Sequence, residues 1–175
     1  MENIQIIEVT TEDIDKLRNI GIQTFAETFS ESNTHDNMKK YLDENFSVEK
    51  LTAELNNKDS SFYFSMFENR VIGYLKLNFG TSQTELKDNA AVEIERIYVL
   101  KAFHGKNVGH MLYQKALQVA GKKNARYIWL GVWENNIRAI QFYKKNGFVE
   151  FNKHIFRLGN DKQTDIMMKL QLKES

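Results

Sequence analysis

The sequence predicts a mixed α/β fold: a central sheet with helices on both faces. Three observations carry that reading. Stretches of period two, which suit strands, alternate irregularly with stretches of helical period. Their order is strand, helix-rich segment, two strands, strand, helix, strand, helix, two strands, which is neither a βαβα repeat nor an all-β pattern. No Pro-, Gly- or Ser-rich linker, internal repeat or low-complexity tract interrupts the 175 residues, so residues 1–175 read as a single domain, long enough to bury a real core.

Taken in order, IQIIEV (4–9) reads as a short strand. Thr10 or Thr11 then caps a helix whose buried stripe is Ile14, Leu17, Gly21 and Phe25. Thr34 caps a second helix carrying Met38, Tyr41 and Leu42, and Ser47 a third carrying Val48, Leu51 and Leu55. SFYFSMF (61–67), the turn ENR (68–70) and VIGYLKLNF (71–79) form a hairpin. Gly73, in mid-strand, marks a close backbone approach. VEIERIYV (92–99) is a strand, and Val108, Met111, Leu112, Ala116 and Val119 recur at helical spacing behind a glycine turn. RYIWLGVW (126–133) is a strand, with Trp129 and Trp133 alternating along it as packing residues. NIRAIQFYKK (136–145) is a helix stopped by Asn146-Gly147. FVEFNKHIFR (148–157) and TDIMMKLQL (164–172) close the chain as a hairpin.

Composition excludes several classes. There is no cysteine, hence no disulfide framework or thiol nucleophile. No apolar stretch approaches twenty residues, and the acidic start MENIQIIEVTTEDID lacks the apolar core of a signal peptide, which together fit a cytoplasmic protein without membrane contact. His35, His104, His110 and His154 show no metal-ligand spacing, so no metal is expected. Basic residues are dispersed rather than interleaved with aromatics, which disfavours nucleic acid. The net charge of +1 hides an asymmetry: residues 1–60 hold 13 carboxylates against 6 basic side chains, residues 61–175 hold 10 against 18. Two solvated faces would explain it. So would an anionic ligand on the C-terminal part and a cationic ligand near the N-terminal part.

Chemistry concentrates at HGKNVGH (104–110), between a strand and a helix. The first turn of a helix presents free N–H groups and partial positive charge, glycines allow close backbone approach, and Lys106 adds a full charge, a combination suited to a pyrophosphate. A P-loop would need Ser or Thr where Asn107 stands, and a dinucleotide fold would need Gly-x-Gly-x-x-Gly.

The stretch EIERIYVLKAFHGKNVGHMLYQKAL resembles the acetyl-CoA motif of the GCN5-related N-acetyltransferases (GNAT superfamily): strand, short loop, Gln/Arg-x-x-Gly-x-Gly/Ala, helix. His104 then takes the Gln/Arg position, Asn107 the first glycine and Gly109 the second. Asn107 tolerates the left-handed conformation that glycine would supply, and His104 is a potential donor to phosphate. A second stretch, VWENNIRAIQFYKKNGF, resembles the same family's downstream segment through Asn136, Ala139, Tyr143, Gly147 and Phe148. The motif resemblance spans roughly residues 70–172.

The resemblance implies a central, mostly antiparallel sheet of about seven strands. It also implies acetyl-CoA as cosubstrate, held by Ile97, Tyr98 and Val99 of the strand, by His104, Gly105, Lys106, Asn107, Val108, Gly109 and His110 of the turn, and by Asn136 and Tyr143. A primary amine would attack the thioester directly. Because an alkylammonium has a pKa near 10.4, freeing the amine at pH 7 costs about 4.6 kcal/mol unless the site helps. A base and an acid are therefore wanted. Glu93 and Glu95, two apart on one strand, share a face and are the candidate bases; the alternative is that one or both pair with Arg96 or a lysine and ordered water takes the proton. Tyr143 matches the family's acid for the leaving thiolate, although its stripe with Ala139 and Ile140 also suits a core tyrosine. A backbone N–H within 97–99 would receive the carbonyl oxygen.

Among family members the stretches above look most like bacterial polyamine acetyltransferases of the spermidine/spermine type. The acceptor is then a small polyamine held by Glu27, Glu31 and Asp36 of the acidic N-terminal part, and the enzyme acts as a monomer or homodimer. The alternatives are an acetyltransferase for protein N-termini or lysines and a catalytically silent acyl-CoA-binding module.

Overall fold

The computed structural model describes residues 3–173; residues 1–2 and 174–175, included in the expected single domain, lie outside them. Seven strands form: β1 (Gln5–Glu8), β2 (Ser60–Phe67), β3 (Arg70–Phe79), β4 (Ala91–Val99), β5 (Tyr127–Trp133), β6 (Val149–Leu158) and β7 (Asp161–Gln171). They make one sheet in the order β1-β2-β3-β4-β5-β7-β6, antiparallel throughout except for the β4/β5 pair. The helices are α1 (Ile14–Phe29), α2 (His35–Asn45), α3 (Val48–Asn56), α4 (Val108–Lys122) and α5 (Ile137–Lys145). This is the mixed sheet of seven strands that the sequence predicted. No helix among the described residues is long and apolar enough to cross a membrane.

Helix ends follow local chemistry. Thr34 accepts the Asn37 N–H at 3.1 Å and Ser47 that of Lys50 at 3.2 Å, so α2 and α3 start where their caps predict. The first helix starts later than expected. Residues Thr11–Asp13 form a separate 3-10 turn, in which the Asp13 carboxylate accepts the Thr10 N–H at 3.0 Å. The closing hairpin is longer than expected, because β7 begins at Asp161 directly after a turn at Gly159 (φ 59°).

The two faces bury separate cores. Leu17, Ile20 and Phe25 of α1 and Leu51 of α3 pack on Phe64, Ile72 and Tyr74. On the opposite face, Leu112 and Ala116 of α4 and Ile140 and Tyr143 of α5 pack on Leu75, Ile94, Ile128 and Val132. A Cβ built on Gly73 would fall 2.7 Å from the Tyr98 carbonyl, the close approach read from that mid-strand glycine.

Two irregularities position the site. β4 pairs with β5 only from Ala91–Tyr127 to Ile94–Leu130, so their remaining lengths diverge and open a cleft. In addition, Lys76 sits opposite Arg96 while Leu77 sits opposite Ile94, which leaves Glu95 as an extra residue in a β-bulge. The bulge interrupts strict alternation. Glu93, Glu95 and Arg96 reach the α1–α3 side, while Ile97 and Val99 join the core under α4.

Candidate active site

The cleft edge of β4 has free backbone groups. Leu100 N–H bonds the Ile72 carbonyl of β3 at 2.8 Å, so alternation turns the N–H groups of Val99 and Ile97 the other way, toward the cleft. The chain then makes a 3-10 turn (Lys101–Phe103), passes Gly105 at φ 76° and enters α4 through Asn107 at φ 68°, ψ 8°. Asn107 thus holds the left-handed conformation in which asparagine substitutes for glycine. The first intrahelical bond is Met111 N–H to Asn107 O at 3.1 Å, which leaves the N–H groups of Val108, Gly109 and His110 without helical partners.

These groups border a groove of about 360 Å³. Ile97, Tyr98 and Val99 form one wall; His104, Gly105 and Asn107 through His110 form another. Asn136, which caps α5 by accepting the Ala139 N–H at 3.3 Å, and Tyr143 close the inner end. A Cβ on Gly105 would meet nothing within 4 Å, and one on Gly109 only the Val99 Cγ2 at 3.9 Å, so the space beside the turn is open. Free amide donors, positive dipole and bare backbone together fit a pyrophosphate.

Two expected contacts differ. The His104 Nε2 lies 2.8 Å from the Val99 carbonyl, and a ring nitrogen meeting a carbonyl carries the proton. His104 therefore braces the turn, and its Nδ1 donates to a phosphate only in the imidazolium form. Lys106 does not line the groove; its ammonium lies over the Phe103 ring at 5.8 Å.

Behind the groove lies a second cavity of about 360 Å³, on the α1–α3 side of the sheet. The two share Thr28, Ile97, Tyr98, Asn136, Ala139 and Tyr143, and so form a continuous passage. An aromatic wall faces the inner chamber: Phe25 stacks on Tyr41 (4.4 Å between centroids), Phe29 packs at a tilt on Trp133 (5.3 Å), and Phe156 packs against Phe29 and Tyr41. Trp133 and Trp129 both border the chamber; Trp129 is almost wholly buried and donates to Gln83 Oε1 at 2.7 Å.

Four carboxylates line the chamber, in three settings. Glu95 is clamped by Lys76 and Arg96, each at 3.0 Å, and Glu54 meets the same two cations at 3.2 and 3.4 Å. Although burial opposes ionisation, Arg96, Lys76 and the Asn78 amide together bring the Glu95 pKa down to about 2. Glu93 has no cationic partner among the described residues. It accepts from Asn78 Nδ2 (3.0 Å), Thr84 N–H (2.8 Å) and the Thr84 hydroxyl, yet burial at 3% exposure outweighs these and raises its pKa. Asp165 of β7 has no hydrogen-bond donor among the described residues; the His154 Nε2 stands 3.6 Å away. Burial raises the Asp165 pKa, with His154 acting against it.

The two glutamates share a face, as their spacing predicts, and one amide, that of Asn78, bonds both. Their environments separate them. Glu95 sits in the ion-paired arrangement foreseen as its alternative role, a poor setting for a base, whereas Glu93 is the better-tuned acceptor. Tyr143 is buried in the core and also lines both cavities, and burial raises its pKa, so its phenol stays a proton donor.

The substrate residues expected from charge require correction. Glu27, Glu31 and Asp36 do not line the chamber. α1 turns Phe25 and Phe29 inward, which sends Glu27 out, and its carboxylate accepts the Lys101 N–H at 2.7 Å. Glu31 and Asp36 are exposed to solvent. Sequence reasoning missed Glu54, Lys76, Asn78, Thr84, His154 and Asp165. Lys76 and Asn78 left a trace, as polar residues two apart in an otherwise apolar strand, and Glu54 sits three residues after Leu51 on the stripe of the third helix; Thr84 comes from a loop with no periodic pattern.

Comparison with known proteins agrees with this geometry. Residues 16–148 match the family model described as Acetyltransferase (GNAT) family. An uncharacterized N-acetyltransferase from the pepI 3′ region of Lactobacillus delbrueckii subsp. lactis is 37% identical over 172 residues, covering 98% of this chain and 99% of the relative. A spermine/spermidine N(1)-acetyltransferase of Bacillus subtilis is 28% identical over 87 residues, 49% of this chain and 57% of the relative. Among solved structures, the PaiA N-acetyltransferase from Thermoplasma acidophilum in complex with coenzyme A superimposes with a TM-score of 0.79 at 22% identity, covering 97% and 99% of the two chains.

Proposed function

This chain belongs to the acetyltransferase (GNAT) family, and on that premise we propose that it transfers the acetyl group of acetyl-CoA to a primary amine of a polyamine such as spermidine or spermine. The observation that carries this reading is the passage itself. A groove built for an anionic cofactor meets, at Tyr143 and the cleft edge of β4, an aromatic chamber lined by four carboxylates, with Arg96 tied to two of them and Lys50 to the Asn45 side chain. Aromatic faces and carboxylates are the two surfaces that hold alkylammonium groups. The partial likeness to the B. subtilis spermine/spermidine enzyme supports the same acceptor class.

Acetyl-CoA supplies an activated thioester. The free N–H groups of α4 and Gly105's bare backbone hold its pyrophosphate. A cleft-facing N–H of Ile97 or Val99 bonds the carbonyl oxygen as negative charge develops there. Glu93, directly or through water, takes the proton released as the amine forms its C–N bond, and Tyr143 gives a proton to the sulfur as the C–S bond breaks.

The test is release of free CoA thiol from acetyl-CoA over a panel of polyamines, amino acids, aminoglycosides and peptides. Spermidine or spermine should lead the panel. A hundredfold preference for a peptide α-amine would replace the polyamine acceptor with a protein one. Silence across all amines, with acetyl-CoA still bound, would mark a silent binding module.

A further inference from the structure

The chamber holds one carboxylate that no hydrogen-bond donor among the described residues meets. Glu54 and Glu95 share Lys76 and Arg96, and Glu93 is met by three neutral donors. Asp165 lines the same cavity, its side chain only 16% exposed, and its nearest basic atom, His154 Nε2, lies beyond hydrogen-bonding distance at 3.6 Å. A largely buried carboxylate without a donor is costly, and the cost is relieved by a ligand that brings the missing donors. The backbone keeps the place clear. A Cβ on Gly131 would come within 3.2 Å of His154 Cε1 and 3.6 Å of Asp165 Oδ2, so glycine is what lets the pair lie over β5.

The position relative to Glu93 fixes what kind of ligand suits it. Glu93 is in register with Trp129, and Asp165 with Trp133, on the same strand β5. Four residues of strand separate the two levels by roughly 13 Å, before side-chain reach is subtracted. Trp133, Phe156 and Tyr41 line the same cavity, faces that accommodate an alkyl chain and attract a cation.

We infer that Asp165, with His154 beside it and Gly131 beneath, is the subsite for a second cationic centre of the acceptor, remote from the amine that is acetylated. This rests on the acetyltransferase reading above and names the residue that makes the enzyme select a diamine or polyamine over a monoamine. Tyr41 and Tyr98 line the same cavity, and Glu85 approaches His154 Nδ1 at 3.9 Å; of the basic side chains that line it, Arg96 is held by Glu54 and Glu95 and Lys50 by Asn45, which leaves His154 as the basic group beside Asp165.

The matched pair putrescine and butylamine isolates the effect, because the two differ only in the distal ammonium. Wild type should show a KM for putrescine at least tenfold below that for butylamine. Asp165→Asn should bring the two together, leaving kcat, the butylamine KM and the acetyl-CoA KM within about twofold. Gly131→Ala, which presses on the pair without altering charge, should narrow the gap in the same direction. An unchanged preference in Asp165→Asn would overturn the assignment. A loss of kcat for both amines at constant KM would also overturn it, by making Asp165 the base. Should wild type release no CoA with any amine, the acetyltransferase reading fails by itself. Calorimetric titration of the same two amines into wild type and Asp165→Asn saturated with CoA then judges the subsite: tighter putrescine binding that is lost in the variant upholds it, and equal binding rejects it.

Discussion

Lys76 Nζ donates to both carboxylate oxygens of Glu95, at 3.0 and 3.1 Å, on the sheet face that lines the acceptor chamber. A carboxylate held this way is a structural anion. Its pKa near 2 in the folded chain, against 4.5 without the fold, corresponds to about 3 kcal/mol of stability. The pKa is depressed, so this contribution is present above about pH 4.5 and is lost as pH falls toward 2. Glu95→Gln should therefore be less stable than wild type by about 3 kcal/mol at neutral pH, with the gap closing below pH 4.5. Denaturant melts over a pH series measure it, and a gap that widens on acidification would contradict the ion-pair account.

Glu93→Gln should act on the reaction instead. Removal of a general base lowers turnover by roughly 10²–10⁴-fold. Burial raises the Glu93 pKa, and the active form is the ionised one, so wild-type kcat/KM should fall on the acid side through a group titrating above ordinary glutamates. In Glu93→Gln the surviving activity should lack that limb. A normal limb in Glu93→Gln and its loss in a folded Glu95→Gln would reverse the assignment.

Tyr143→Phe should lower turnover by roughly 10²–10⁴-fold while acetyl-CoA affinity stays nearly intact, since only a proton donor is removed. Its ring fills the core with Phe142 and Phe148, and phenylalanine preserves that packing, so the melting temperature should hardly move. Unchanged turnover would make the tyrosine structural and leave the thiolate to water.

The sequence made the scaffold and cofactor side legible because both rest on local chemistry. The caps Thr34 and Ser47, the hairpin turn at Glu68 and Asn69, both at positive φ, and the glycine turn before Val108 act within a few residues of themselves. The acceptor side was not legible, because it is assembled across the sheet. Asp165 meets the chamber through the β5/β7 register, Thr84 from a loop between strands, and Glu54 from the end of α3. A count of acidic residues located charge in the first third of the chain, but helix phase turned most of it to solvent. The bulge at Glu95 was equally hidden, since it depends on the partner strand.

Acetyl-CoA should raise the melting temperature of the wild type, with a stabilisation of about 2.7 kcal/mol at a hundred times its dissociation constant. Asn107 governs that response through its left-handed backbone at φ 68°. Asn107→Gly should keep the shift, whereas Asn107→Val, with a branched Cβ in the left-handed region, should lose most of it. A bulky residue at Gly109 should abolish the shift by filling the open space beside the turn. No shift with millimolar acetyl-CoA in the wild type would remove the cofactor assignment.

Glu27 offers the sharpest contrast between charge read from sequence and charge placed by the fold. Had it roofed the acceptor chamber, its neutralisation would weaken a polyamine and spare acetyl-CoA. The structure ties its carboxylate to the Lys101 N–H at 2.7 Å, a contact between α1 and the turn that leads into α4. One and two residues further on, Thr28 and Phe29 reach the passage, so the tie holds α1 against the cofactor groove. A hydrogen bond of this kind is worth about 1 kcal/mol, close to a fivefold change in affinity. Glu27→Gln should therefore raise the acetyl-CoA dissociation constant by up to about fivefold and leave the KM for spermine unchanged. Glu31→Gln and Asp36→Asn, whose side chains stand in solvent, should alter neither. Titration calorimetry with acetyl-CoA and steady-state kinetics with spermine separate the outcomes, and a variant that loses spermine affinity alone would return Glu27 to the acceptor site.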